Sequence, residues 1–464
     1  MNPFKFILST VIVLLGFCSC EKESGKQEST ALKSEMPEIK RLFGSQTKTL
    51  SNGLQIVVVE EHSVPRVSMS VLYKVGAADD PAHIMGVSHM LEHLFFYGSS
   101  KYPDFTRAVG KLGGVAEAYT DYDCTVFNID CPVEKLGVAF AMEADRMANF
   151  CLKDDQVFER EKKVIHEERL TRVENSMHGL LHEFIQNAIS PQHPYGKLVI
   201  GQPHTLLAIS KDDVMAHYKK WYKPHNAVLI VVGDVKAEGV FGEAERAFGG
   251  IPSEDASASS LERVRVKNSM TENVHQKIQC TWANIESARV VLCYNTPHFK
   301  KDGKRKCFAL LLGLRALLEP SCDFYTYFED KKFISNLTFF CGFAAFDPEL
   351  LRIQVDLPKT ITPKVFLKEF FAKIEQILKN GVKPEDFARE KKLYLINVAY
   401  KETDGHRKIC DCFTCLARGD TVEGVEASCE DLLSVTEEQA NAALKEFLGK
   451  KPRALVKMSP ESER

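Results

Sequence analysis

Apolar and polar positions change their spacing several times along the chain, and each change predicts an element. Residues 49–74 read as two strands around a turn, with Leu54-Gln55-Ile56-Val57-Val58-Val59 rich in β-branched side chains and 67–73 alternating in part. A polar loop carrying Gly76, Asp79, Asp80 and Pro81 follows. Apolar residues at helical spacing predict helices over 86–96 and 104–112. Beyond Gly113-Gly114, residues 115–131 read as one strand. Helical periodicity returns over 133–150, 154–174 and 177–188, and 227–232 is an apolar strand ending at Gly233-Asp234. The small, polar, unpatterned stretch 251–260 is the best linker in the chain. After it the order recurs: strand 288–294, helix 307–318, strands 337–343 and 351–357, then helices 363–379 and 384–400. This recurrence predicts an α+β fold of two related domains, each a mostly antiparallel sheet packed with helices. Strands and helices do not strictly alternate, which disfavours a doubly wound parallel sheet.

The N-terminus reads differently. Lys5 precedes a twelve-residue apolar run, 6–17, too short to span a bilayer and suited to a secretory leader. Cys18-Ser19-Cys20 and a charged stretch come next. That order resembles a bacterial lipoprotein signal with cleavage before Cys20 and acylation of its thiol; Ser19 suits the cleavage, and Phe17 departs from the usual pattern. The expectation is a signal over 1–20, a polar tether over 21–42, a first domain over 43–250, a linker over 251–274 and a second domain over 275–460. The implied location is the periplasmic side of a bacterial envelope, held to the membrane by the lipid. A plain signal peptide would instead leave a soluble periplasmic or secreted protein.

Composition narrows the classes. With 464 residues, 44% of them hydrophobic and 27% charged, the chain has a globular balance and more length than one ordinary domain. A formal net charge of −3 offers no basic surplus, so nucleic acid is not an expected partner. Of 14 cysteines, Cys410, Cys412 and Cys415 form a C-x-C-x-x-C cluster. It lacks the second pair that a zinc ribbon needs, so buried free thiols or a local disulfide are expected there.

The chemistry lies at 89–93, His-Met-Leu-Glu-His. On a helix, residues four apart share a face, so His89 and His93 can offer two imidazole nitrogens to one ion, with Glu92 bordering the same place. A catalytic zinc takes three protein ligands and keeps one position for water, and a neighbouring carboxylate can accept the water's proton. H-x-x-E-H is the inverse of the common zincin motif. His178 and His182 are also four apart but have no glutamate between them and read as an ordinary helix face.

Residues 86–98, GVSHMLEHLFFYG, resemble the active-site helix of the pitrilysin/insulinase family, which includes the mitochondrial processing peptidases. The resemblance implies a third ligand, a glutamate on a later helix. Glu168 lies 75 residues beyond His93 and matches it, with Glu167 as the fallback. Glu161, two turns earlier on the same face, matches a second acidic position that supports catalysis. The stretch 113–120, GGVAEAYT, resembles the strand beside the zinc, placing Ala116, Glu117 and Ala118 against substrate. Further matches at 123–127, 193–196, Gly201 and 222–234 extend the resemblance over about 48–235; the second half resembles the family in size and element order alone. The family usually has asparagine where this chain has Glu117, a change that would alter specificity or add negative charge near the metal.

What the resemblance implies is a zinc endopeptidase with one Zn2+ per chain, acting on extended peptides or small unfolded polypeptides with Glu92 as base. It also implies a partner. Active family assemblies face the zinc with an arginine and a tyrosine from a second domain. The matching window here, 327–336, puts Phe or Glu at the arginine position and Ser or Asn at the tyrosine position. The implied assembly is a heterodimer with a homologous non-zinc chain that supplies both. The alternative is a non-catalytic subunit or peptide-binding envelope lipoprotein on the same fold, which intact His89, Glu92 and His93 disfavour.

Overall fold

The computed structural model describes residues 43–253, 275–282, 285–342, 346–401 and 406–460, without the side chains of 397–401, 407 and 408. The leader, Cys20, the tether and nearly all of the linker lie outside the described residues.

The first half contains six strands: β1 (Gln46–Thr49), β2 (Gln55–Glu60), β3 (Arg66–Tyr73), β4 (Val115–Thr120), β5 (Thr125–Pro132) and β6 (Ala227–Gly233). They form one sheet in the order β1-β2-β6-β3-β5-β4. Its helices are α1 (Val87–Phe95), α2 (Phe105–Lys111), α3 (Leu136–Asn149), α4 (Asp155–Arg169), α5 (Met177–Ile189), α6 (Pro203–Ala208), α7 (Lys211–Trp221) and α8 (Ala237–Phe248). The second half contains β7 (Gln276–Trp282), β8 (Arg289–Asn295), β9 (Asn336–Phe340), β10 (Leu350–Asp356) and β11 (Ala454–Pro460), in the order β7-β11-β8-β10-β9. Its helices are α9 (Phe299–Asp302), α10 (Lys304–Leu318), α11 (Asp323–Asp330), α12 (Pro363–Asn380), α13 (Pro384–Lys401), α14 (His406–Cys412), α15 (Val422–Glu426), α16 (Ser428–Leu433) and α17 (Glu437–Leu448).

The two sheets share one topology. In each, the first strand of the repeat pairs in parallel with the last (β2 with β6, β7 with β11), and every other pairing is antiparallel. By this repeat β9 is the counterpart of β4. The architecture is α+β in two like halves.

Each sheet is covered by its own helices on one face and by the other half on the opposite face. Val57, Leu72, Val228 and Ile230 of the first sheet pack against Ile409, Cys410, Phe413 and Leu416. In return, Leu181, Ile185 and Ile189 of α5 pack on Val291, Cys293, Leu350 and Val456 of the second sheet. Burial on both faces explains the unbroken apolar runs in β2 and β6. Each such side chain contributes roughly 1.5–3 kcal/mol relative to leaving it in water.

Three expectations change. The two strands read at 49–74 are not neighbours, because β6 inserts between β2 and β3. The single strand read at 115–131 is a hairpin: Asp121 N bonds Cys124 O, and aspartates at 121 and 123 supply the turn chemistry. Gly76 lets this turn approach, since a Cβ there would sit 2.2 Å from Asp121 O. The helix read at 154–174 ends at Arg169 and continues as one π turn, Leu170–Glu174. Among the described residues no disulfide joins any of the twelve cysteines. In the C-x-C-x-x-C cluster, Cys410 is buried against the first sheet and Cys415 Sγ donates to Cys412 O at 2.7 Å. Among the described residues no helix is long and apolar enough to cross a membrane.

Candidate metal centre

Helix α1 is fixed at both ends. Asp80 caps its start, accepting from Gly86 N at 2.7 Å, Ser88 N at 3.2 Å and Ser88 Oγ at 2.6 Å. Burial pushes the Asp80 carboxyl up to about 7 against the pull of these bonds. Gly86 has φ +97°, and a Cβ on it would lie 2.9 Å from Leu206 and 3.0 Å from Ile200 O, so glycine is required for α1 to reach its neighbours. At the far end the buried Arg146, paired with Glu143, donates to Phe95 O at 3.4 Å.

This places His89, Glu92 and His93 on a buried face turned towards α4. The described residues contain one group able to hold a metal ion: donor atoms of His89, His93 and Glu168, all within 4.8 Å of one another. His93 Nε2 lies 3.4 Å and His89 Nε2 3.8 Å from Glu168 Oε2. A catalytic zinc takes such donors at about 2.0–2.2 Å, so the three side chains, now within 4.8 Å of one another, would draw closer to share one ion. Burial pushes His89 down to about 3, which leaves a neutral imidazole with a lone pair to offer, and its buried Nδ1 has no hydrogen-bond partner among the described residues. His93 is disfavoured as a cation by burial, yet hydrogen bonds to Glu161 and Glu168 hold it up to about 9. Glu168 is opposed by burial but pulled down to about 2 by His93, His89 and Arg172. Ion binding would therefore displace a proton from His93. The donor types, spacing and charges fit zinc.

The remaining predicted residues fall around this trio. Glu92 is 7% exposed and accepts from Thr120 Oγ1 at 2.6 Å; burial lifts its carboxyl above the usual range. Glu161 stays out of the ligand set, lying 3.5 Å from His93 Nδ1 and accepting from Tyr97 OH at 2.7 Å, an arrangement that orients the ring. Glu167 is exposed. Ala116, Glu117 and Ala118 lie on β4, an edge strand; Ala116 and Ala118 pack towards the helix layer while Glu117 sits on the opposite face. His178 and His182 lie on α5, away from the trio.

Four groups at the site were not singled out in the sequence: Asp80 and Arg172, and Tyr97 and Thr120, which lie in the matched stretches 86–98 and 113–120 without a role of their own there. Arg172 is on the π turn and pairs with Glu168 Oε1, leaving Oε2 facing the histidines. Arg172 thereby helps set which carboxylate oxygen faces the histidines. Glu168→Gln is expected to lose zinc by more than a hundredfold in affinity, Arg172→Met by about 10–100-fold, and Glu167→Gln not at all, read by competition with a chelating dye. Loss at Glu167 with retention at Glu168 would place the ligand one residue earlier.

The insulinase (peptidase family M16) model matches residues 55–202, and the peptidase M16 inactive domain model matches 208–394. Zinc protease PqqE of Helicobacter pylori is 28% identical over 343 residues, 72% of this chain and 74% of that protein. A zinc protease of Bacillus subtilis, YmxG, is 25% identical over 217 residues, 46% of this chain and about half, 52%, of that protein. A crystal structure of a protease from Helicobacter pylori superposes with a TM-score of 0.81 at 24% identity, covering 90% of this chain and 99% of that one.

Proposed function

The chain belongs to the insulinase family, peptidase family M16, and from that premise we propose that it is a zinc-dependent endopeptidase acting on extended peptides. The observation that carries the reading is the trio His89, His93 and Glu168, the first buried and the other two half-buried, with Glu92 next to His93 on α1 and tied to the edge strand. His89, His93 and Glu168 would hold the ion, which supplies Lewis acidity towards a water and a scissile carbonyl.

The chain's own residues do the rest. Thr120 holds one oxygen of Glu92, which leaves the other to take a proton from water. Burial, by raising Glu92, also equips it to return that proton to the leaving amine. Peptide would add to β4, which pairs with β5 on one side and has no strand on the other among the described residues. Backbone hydrogen bonds would then hold it with modest demands on side chains. Ala116 and Ala118 keep the helix-side face of that strand low.

The partner belongs to the same proposal. Phe328 is buried in the core of the second half, and Tyr327 gives its hydroxyl to Glu369. Phe328 offers no charge, and the Tyr327 hydroxyl is already engaged. A homologous chain carrying arginine and tyrosine there would complete the site.

Metal analysis of the purified chain tests the reading. One zinc per chain is expected, with hydrolysis of an internally quenched peptide abolished by a chelator and restored by zinc. Hydrolysis that survives complete metal removal, or a chain that takes up no zinc, would sink it.

A further inference from the structure

The β4–β5 turn touches both the site and the second half. Its first residue, Asp121, directly follows Thr120, the residue that holds Glu92. Asp121 Oδ2 accepts from Arg418 NH2 at 2.6 Å, and Arg418 ends the 3-10 turn Phe413–Arg418 of the second half. Two residues on, Asp123 is 1% exposed and accepts from Tyr195 OH at 2.6 Å and from Phe346 N at 2.8 Å. Just before the turn, Tyr119 OH reaches Asp411 Oδ1 at 3.4 Å. Inside the first half, Ala77 N and Ala78 N bond the carbonyls of Asp121 and Tyr122. The turn is thus gripped from one side by its own half and from the other by Arg418, Phe346 and Asp411.

We propose that Arg418 and Asp121 are a positioning pair through which the second half sets the end of β4, and with it the placement of Thr120, Glu92 and the edge offered to peptide. The second half, through Arg418, then takes part in the chemistry of its own chain. The guanidinium is 12% exposed and the Asp121 carboxylate 40%, so the pair is shielded enough to hold a geometry and open enough to be substituted without emptying a core. Burial opposes the charge on Arg418, but Cys124, Asp121, Asp123 and Glu349 hold its guanidinium above the usual arginine range.

The inference rests on the peptidase reading for its kinetic consequence and has a second readout that does not. On the full zinc-loaded chain, Arg418→Met and Asp121→Asn are each expected to lower kcat/KM about tenfold, and the double variant no further, as for two groups acting through one contact. Arg418→Lys should recover most of the loss, with zinc affinity unchanged throughout. Hydrogen exchange over residues 115–120 should quicken in both single variants whatever the activity. Unchanged exchange there, kcat/KM within twofold of the parent, or losses that multiply in the double variant would each overturn the pair. A parent chain that takes up no zinc overturns the peptidase reading instead and leaves the exchange result to decide the pair.

Discussion

Replacing Glu92 with glutamine is expected to leave one zinc per chain and to lower kcat by about 10²–10⁴-fold. The substitution keeps the size of the side chain and an oxygen for the Thr120 hydroxyl, which now lies 2.6 Å from Glu92 Oε2. What it removes is the ability to take a proton. Glu92 is absent from the donor trio, so the metal should remain. Zinc content and peptide turnover measured on the same sample separate the two effects. Undiminished turnover would remove Glu92 from the mechanism, and loss of zinc would make it a ligand.

The second large effect concerns the partner. The isolated chain, saturated with zinc, is expected to hydrolyse peptides slowly until a homologous chain carrying arginine and tyrosine opposite the metal is added. Each missing donor towards the developing oxyanion is worth about 10²–10³ in kcat. The window that should carry them spans the last turn of α11 and the turn into β9, the counterpart of β4. Phe328 there fills the core, and Lys332, with φ +55°, makes the sharp turn before β9. Rate against added partner should rise and saturate at a fixed stoichiometry. Full activity from the isolated chain would end the heterodimer proposal and leave the metal assignment standing.

The candidate metal pair on α1 and the glutamate beside it were legible in the sequence because helical periodicity is local. Four residues apart means one face, so His89 and His93 pair wherever the helix goes. Seven residues separate Glu161 from Glu168, so these two also share a face of α4. Fixing Glu168 rather than Glu167 needed the family resemblance, and the structure turns Glu168 to the histidines and leaves Glu167 exposed. The α+β class and the recurrence of element order were legible for a related reason: each strand or helix repeats its own short period.

Partnership between distant segments has no such period. The apolar runs at β2, β3 and β6 looked alike, and nothing in them said that β6 lies between the other two. Nor could the runs say that one sheet face would be covered by residues 409–425 and that α5 would cover the other sheet in exchange. Asp80, Thr120 and Arg418 are single polar residues; each acquires a role from a contact made across 8, 28 and 297 residues respectively. Local spacing therefore determined which residues could form the metal site. Long-range packing, which alone settles what faces a buried side chain, decided what holds them in place.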